Sequence, residues 1–345
     1  MAPASRPVGI DLGTHSVKLY SAKRAYFVPS LIGDRSERAV VQTQDKTLPG
    51  NLVLLNKTHE YCLGEMVRRG SEVGRPIVTG GRIVSVEDAL LAIKAILPFG
   101  LRDPNEIVRI VSGIPAATGL DGKQTLARSL LGKLGIDVRN EATGETRHFE
   151  PEVESSNILP SSFGTYYSVL REKGERFAID AVVIDCGHGM TDILTMYDGE
   201  PSLSASRGVA DSVETMAVEL GRAIEERAGL RIEMCDLMGA IRRGLTKVTA
   251  EDEEFDITEL KKQHVSRAAR AIADEVESLL GTLPSDAEIE HAIITGGGAH
   301  LFAGELRLFL VEKEIVRSAS QITVPEDPIM ANVEGLEMIA REVVS

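Results

Sequence analysis

Two phrases, far apart in the chain, share one pattern. "GIDLGTHSVKLYS" runs from Gly9 to Ser21, and "VIDCGHGMTDILTM" runs from Val183 to Met196. Each reads as an apolar run, an aspartate, one residue, a glycine, a polar turn and a second apolar run. That is a strand, a tight turn and a strand, with a carboxylate set at the end of the first strand. A chain that writes this twice is constrained to build the same local structure twice.

The surrounding pattern agrees. In the first half, Val8–Ile10, Val17–Tyr20 and Ala25–Leu31 read as strands, followed by a hairpin from Leu52–Leu55 and Glu60–Leu63 and a short helix at Gly64–Gly70. "SVEDALLAIKAILPFG" is an amphipathic helix with Ser85 as N-cap and Asp88 as its capping-box partner. Ile107–Val111 is a buried strand, and "DGKQTLARSLLGKLG" a helix stopped by Gly135. The second half repeats the plan. Ala181–Ile184, Ile193–Met196 and Pro201–Ser206 are strands, Asp211–Ala228 and Ile257–Leu280 helices, and Ala292–Thr295 a strand running into "GGGAHLFAGEL". "MANVEGLEMIAREVV" closes the chain as a helix. "EDEEFDITEL" reads as a solvated loop that leads into the helix from Ile257. The expected fold class is α/β in two related halves.

The chemistry of the two turns points to phosphate. Glycines 13 and 187 can take φ > 0 and let backbone approach a ligand. Thr14, His15 and Ser16, and Gly189, Met190 and Thr191, supply N–H groups and hydroxyls for an anion nest. Aspartates 11 and 185 beside phosphate oxygens would be repelled unless a cation intervenes, so the pair implies Mg²⁺. Lys18 adds positive charge toward the phosphates. The cluster Gly296, Gly297 and Gly298 follows a buried strand and opens a helix, which suits backbone approach to a ligand or a simple tight turn. Neither GxxxxGK[ST] nor GxGxxG occurs.

Composition narrows the class. The net charge of -14 disfavours direct contact with nucleic acid, and 4% aromatic residues without Trp give little for stacking on single strands. Cys62, Cys186 and Cys235 show no metal-ligand spacing and, being three, no closed disulfide set, which suits a reducing cytoplasm. Cys186 reads as packing beside its loop. "MAPASRPVGIDLG" holds no long apolar leader run, and no stretch reaches the roughly 20 apolar residues of a membrane helix. A cytoplasmic protein without direct membrane insertion is expected.

These phrases resemble those of the actin-type ATPases. "GIDLGTHSVKL" is similar to the first phosphate loop, "VVIDCGHGMTDIL" to the second, "IITGGGAHLFAGEL" to the adenosine loop, "VSGIPAATG" to the strand before the first hinge, and "MANVEGLEMIA" to the second hinge, with Ala331, Asn332 and Gly335 in an A-N-x-x-G pattern. The set keeps the family order over almost the whole chain. "RPIVTGGRIVSVEDA" and "SGIPAATGLDGKQTLARSLLGKLG" resemble segments of the prokaryotic filament formers of the MreB, ParM, magnetosome and archaeal actin-like kind.

The resemblance implies two duplicated actin/ribonuclease H-like domains. They would span residues 1–165, with 31–75 as a small subdomain and 325–345 packing back, and residues 166–324, with 211–285 as a subdomain. It implies an ATPase that binds ATP and Mg²⁺ between these domains, polymerises with itself and hydrolyses ATP after assembly, with an adaptor protein as a further partner. The nucleotide contacts would include His188, Gly208 and Glu214, with Arg242 as a second candidate beside Glu214; His188 reads as filling space as readily as touching phosphate. The Leu52–Leu63 hairpin falls where the family makes longitudinal filament contacts. In these families a Glu or Gln after the first domain positions the attacking water. With Pro160 and Gly164 as anchors that position is Ser161, a weak water activator, and Glu154 is the nearest carboxylate. The catalytic candidates are thus Ser161, Glu154 and Asp185, and hydrolysis is expected to be slow. The alternative is a non-polymerising scaffold or assembly ATPase of the PilM, FtsA or EutJ kind. A small-molecule kinase is the weakest reading, because no catalytic Asp presents itself as base.

Overall fold

The strand that carries Asp11 is apolar from Pro7 to Ile10 and buried at Val8 to Leu12, as a strand covered on both faces should be. The computed structural model describes residues 5–35, 49–57, 59–70, 74–116, 118, 120–174, 178–250 and 253–342. The chain divides into two compact units, residues 1–176 with 329–345, and residues 177–328.

In the first unit β1 (Arg6–Leu12), β2 (Ser16–Ser21) and β3 (Arg24–Pro29) form an antiparallel meander. The turn from β2 to β3 places Ala22 and Lys23 at positive φ, as a two-residue hairpin turn demands. A second sheet holds β4 (Leu31–Asp34), the hairpin β5 (Leu52–Asn56) and β6 (His59–Leu63), and β7 (Gly74–Pro76), with α1 (Glu65–Gly70) between the last two. The short ribbon β8 (Val78–Thr79) and β9 (Arg82–Ile83) leads into α2 (Val86–Gly100). Ser85 caps α2, its Oγ accepting from the Asp88 N–H at 3.3 Å. The Asp88 side chain does not complete a capping box. Both of its oxygens accept from Arg75, each at 2.8 Å.

β10 (Ile107–Ile114) pairs in parallel with β1, and α3 (Leu120–Leu130) follows. Helix α3 stops before β11 (Gly132–Lys133), where Gly132 has φ +86, so Gly132 and not Gly135 ends it. β12 (Ile136–Asn140) and β13 (Thr146–Phe149) extend the second sheet, while β14 (Glu152–Pro160) returns beside β10 and runs directly into α4 (Ser161–Glu172). The main sheet is therefore ordered β11-β14-β10-β1-β2-β3. One of its faces buries Val8, Ile10, Val17, Leu19 and Ile110 against α2 and α3, through Ile93, Ile96, Leu97, Leu126 and Leu130.

The second unit opens with the hairpin β15 (Ala181–Cys186) and β16 (Thr191–Tyr197). The single strand expected over Pro201–Ser206 is instead two short pieces, β17 (Glu200–Pro201) and β18 (Arg207–Val209), both paired to β16. Helix α5 (Val213–Ala228) is capped by Ser212, whose Oγ accepts from the Thr215 N–H, and closes on left-handed Gly229. After α6 (Met234–Arg242), β19 (Lys247–Ala250) and β20 (Glu253–Asp256) form a hairpin. Part of the acidic segment expected as loop, Glu253–Asp256, is thus strand: alternation puts Val248 and Phe255 in register as an apolar pair. Helix α7 (Thr258–Leu280) leads to β21 (His291–Thr295), parallel to β15, then α8 (Ala299–Glu312) and β22 (Ile322–Thr323). Ile184, Ile193, Leu220, Ile272, Phe302 and Leu306 belong to this unit's own core.

Helix α9 (Ala331–Glu342) belongs to the first unit and lies on the other face of β1 and β10, where Val111, Leu336 and Ala340 pack. It crosses α4 at two glycines. A Cβ on Gly335 would stand 1.8 Å from the Gly164 carbonyl oxygen, and one on Gly164 2.1 Å from the Asn332 oxygen. Thr165 Oγ1 donates to Asn332 Oδ1 at 2.5 Å and fixes the crossing. Among the described residues no helix is long and apolar enough to cross a membrane.

Candidate functional site

Both turns flagged in the sequence close in the same way. In the first unit the Gly13 N–H donates to the Ser16 carbonyl at 3.1 Å; in the second the Gly187 N–H donates to the Met190 carbonyl at 3.0 Å. Neither glycine has positive φ. The expectation of a left-handed residue is corrected: at Gly187 space requires glycine, since a Cβ would lie 2.4 Å from the Met190 oxygen, and at Gly13 a Cβ would be tight, 3.1 Å from the Ser16 oxygen. The turn brings Thr14, His15 and Ser16 together after β1, and His188 and Gly189 together after β15. The His15 and His188 carbonyls face away from a ligand role, accepting from the Ser30 and Glu214 N–H groups at 3.0 and 2.9 Å.

Asp11 is 2% exposed and both of its oxygens are engaged. Ser161 Oγ donates to Oδ1 at 2.7 Å, and Lys18 Nζ to Oδ2 at 2.9 Å. The register explains the meeting. Asp11 is the Cα partner of Lys18 on β2 and of Gly113 on β10, and Gly113 pairs with Leu159, two residues before Ser161. Lys18 thus neutralises Asp11 and does not stand as an unshared cation beside the turn. Asp11 fits a cation only through a shared or water-mediated contact, because each oxygen already accepts a hydrogen bond.

Glu154 lies elsewhere. It sits exposed at the bulge of β14 between the levels of Val108 and Arg109, about 16 Å along the strand from the Asp11–Leu159 row. It is corrected as a water activator for this loop: sequence proximity to Ser161 runs along an extended strand and so becomes distance.

In the second unit Asp185 stands opposite Asp192 on β16 and beside Thr295 on β21. Directly opposed residues of an antiparallel pair share a face, so two carboxylates meet here where the first unit has a carboxylate and an ammonium. Asp192 was missed by sequence reasoning, although the second aspartate of "DCGHGMTD" was its signal. Gly208, the partner of Asp192, is explained by room: a Cβ would lie 2.7 Å from Met190 Cε and 2.8 Å from Asp192 Oδ1. Thr191 is fully buried and its Oγ1 donates to the Asp211 carbonyl at 2.6 Å. Its hydroxyl joins β16 to the approach of α5 and is corrected as a phosphate donor.

The glycine cluster folds over the same strand end. Gly296 has φ +82, and a Cβ there would strike Asp185 Oδ1 at 2.2 Å. The Gly298 N–H donates to the Cys186 carbonyl at 2.7 Å and opens α8, while Gly297 is exposed with nothing within 4 Å of a built Cβ. Asp185, the 187–190 turn, Gly208 and the 296–298 loop therefore gather at one end of this sheet. Glu214 joins them through its N–H, with its side chain exposed at the start of α5. Arg242 is exposed at the end of α6. Cys186 is buried, and burial pushes its thiol upward, which suits packing and not reactivity. Burial first, then Glu219, also raises Asp211. Among the described residues no group of three or more His, Cys, Asp or Glu converges on a metal position.

The comparisons follow these two units. Residues 9–164 match the family model for the N-terminal domain of actin-like proteins, and residues 183–308 the model for the C-terminal part of the archaeal actin homologue, MreB-like. The crystal structure of Ta0583, an archaeal actin homologue, has a TM-score of 0.76 at 21% identity, covering 97% of this chain and 98% of that one. A complex of the same homologue with ADP has a TM-score of 0.72. A 15-stranded ParM filament from Clostridium botulinum has a TM-score of 0.71 at 18% identity, with 99% and 100% covered. The MamK double helical filament has a TM-score of 0.72 at 16% identity, again with 99% and 100% covered. A search of curated proteins by sequence finds no match.

Proposed function

The chain belongs to the actin-like proteins, and from that premise we propose that it binds ATP with Mg²⁺, assembles into a homopolymeric filament and hydrolyses the nucleotide slowly. The observation that carries the reading is the matched pair of turns, Gly13–Ser16 and Gly187–Met190, each closed by the same hydrogen bond just beyond a strand-end aspartate. Support for nucleotide comes from the ADP complex of the archaeal homologue, and for self-assembly from the ParM and MamK filaments. The two units are proposed as the two actin-like domains.

In this reading the turn N–H groups and Ser16 take phosphate oxygens in the first unit. The 187–190 turn and the 296–298 loop do so in the second, Gly297 offering an open backbone. In the second unit the cation is assigned to Asp185 with Asp192, two carboxylates in register across one ladder, and in the first unit Asp11 is the candidate for a water-mediated contact. Mg²⁺ when bound supplies charge neutralisation for the phosphates. Lys18 holds Asp11 in place. Attack by water on the terminal phosphate yields ADP and phosphate, and Ser161, a hydroxyl already donated to Asp11, orients that water poorly. In this reading the filament is cytoplasmic and engages further partners through an adaptor, since the net charge of -14 disfavours direct contact with nucleic acid.

The Ser161–Asp11 bond also favours the second reading, a scaffold of the same fold with weak hydrolysis, because it occupies the hydroxyl at the position assigned to the attacking water. Pelleting and light scattering of the purified chain with Mg-ATP, Mg-ADP or no nucleotide separate the two. Nucleotide-dependent particle growth is expected. Bound nucleotide without growth at any concentration selects the scaffold, and no bound nucleotide refutes both.

A further inference from the structure

The hydroxyl of Ser161 has a place that its weakness as a water activator does not explain. It opens α4, and the preceding residue, Pro160, contributes no side-chain cap. The partial positive charge of the helix start therefore faces the buried Asp11 carboxylate, with the Ser161 hydrogen bond between them. The chain makes room for this contact. A Cβ on Gly113 would lie 2.9 Å from both Ser161 Cα and Oγ, and 2.7 Å from Leu336 Cδ1 on α9. One strand position thus needs glycine so that α4 and α9 can both reach the sheet there.

Helix α9 grips the same strand as Asp11. A Cβ on Gly9 would strike the Val333 carbonyl oxygen at 2.3 Å and the Glu337 nitrogen at 2.6 Å. Strand β1 is held by α9 at Gly9 and by α4 at Asp11, and the two helices are locked to each other through Gly164, Gly335 and the Thr165–Asn332 bond. These helices are also where the chain passes from one unit to the other. Unit two begins a few residues after α4 and ends just before α9.

We propose that Ser161 is a positioning residue that reports the state of Asp11 to α4, and through the glycine crossing to α9. The proposal rests on the nucleotide reading above. When a hydrated cation and phosphate draw on Asp11, its acceptance from Ser161 changes, and the start of α4 changes its hold on the sheet. The close crossing leaves no slack, so α9 responds with it.

Hydrogen–deuterium exchange of the full chain tests this, without nucleotide and with Mg-ADP or Mg-ATP at concentrations giving full occupancy, measured as bound nucleotide per chain. In the natural chain, exchange across residues 161–172 and 331–342 is expected to change several-fold on binding. Ser161→Ala is expected to lose that response in α4, and Ser161→Thr, which keeps a hydroxyl, to retain it. An α4 response in Ser161→Ala equal to that of the natural chain overturns the proposal. Bound nucleotide with no change in either helix of the natural chain overturns it too, and needs no variant that might fail to fold. If the natural chain binds no nucleotide, the underlying reading fails and this inference with it.

Discussion

Asp185 and Asp192 are Cα partners across an antiparallel ladder, at the place where the first unit pairs Asp11 with Lys18. The duplicated phrases therefore build the same turn with opposite electrostatics. One strand end pairs a carboxylate with an ammonium, and the other sets two carboxylates on one face. Asp192→Asn is expected to abolish the Mg²⁺-dependent rise in Tm with ADP. Differential scanning fluorimetry across a Mg²⁺ titration reads this, and an undiminished Mg²⁺ response would remove Asp192 from the metal site.

Lys18→Met leaves Asp11 buried without its ion-pair partner and is expected to cost about 3 kcal/mol in denaturant unfolding. Asp11→Ala should lose Mg-dependent ATP turnover, measured as phosphate release. Unaltered turnover would show that Asp11 takes no part in the reaction.

Ser161→Gln is expected to raise the rate of phosphate release about tenfold or more. The amide can still donate to Asp11 while reaching a water that the short hydroxyl does not serve. Single-turnover release with bound ATP checks this, and a rate equal to that of the natural chain would argue that another group limits hydrolysis.

Glycines 335 and 297 should separate packing from ligand approach. Gly335→Ala drives a methyl group to 1.8 Å from the Gly164 carbonyl oxygen and is expected to cost more than about 3 kcal/mol or to prevent folding. Gly297→Ala meets nothing within 4 Å and should leave the melting temperature unchanged while weakening nucleotide binding. Circular dichroism and equilibrium binding of a fluorescent ATP analogue distinguish the two effects.

The second six-stranded sheet of the first unit carries a pH dependence. The hydrogen bonds from Arg139 to Glu60, at 2.8 and 2.6 Å, hold the Glu60 carboxyl below the usual glutamate range despite some burial. A depressed folded pKa contributes stability that is present above the unfolded pKa and is lost as pH falls through the folded one. Glu60→Gln should therefore lower Tm at neutral pH and lose that difference in acid. A Tm deficit that persists undiminished at low pH would assign the effect to packing.

Much of the fold was legible because its signals are local. The two hairpins, the Ser85 cap and the long helices each close their hydrogen bonds within a few residues. Composition and periodicity report such contacts directly. The reading failed where a residue's partner lies elsewhere in the chain. Asp88 suited a capping box by spacing, but Arg75 reaches it from β7. Glu154 was near Ser161 in sequence, but an extended strand carried it away.

The sequence by itself determined that two strand–turn–strand units would each place a carboxylate beside a tight glycine turn, since strand period and turn space are written in neighbouring residues. Only the tertiary structure decided what each carboxylate meets. Asp11 receives Ser161 from 150 positions away, and Thr165 finds Asn332 across 167. Parallel pairing of β1, β10 and β14 and the crossing of α4 with α9 make those contacts. Such pairings depend on how whole elements stack, which no local spacing encodes.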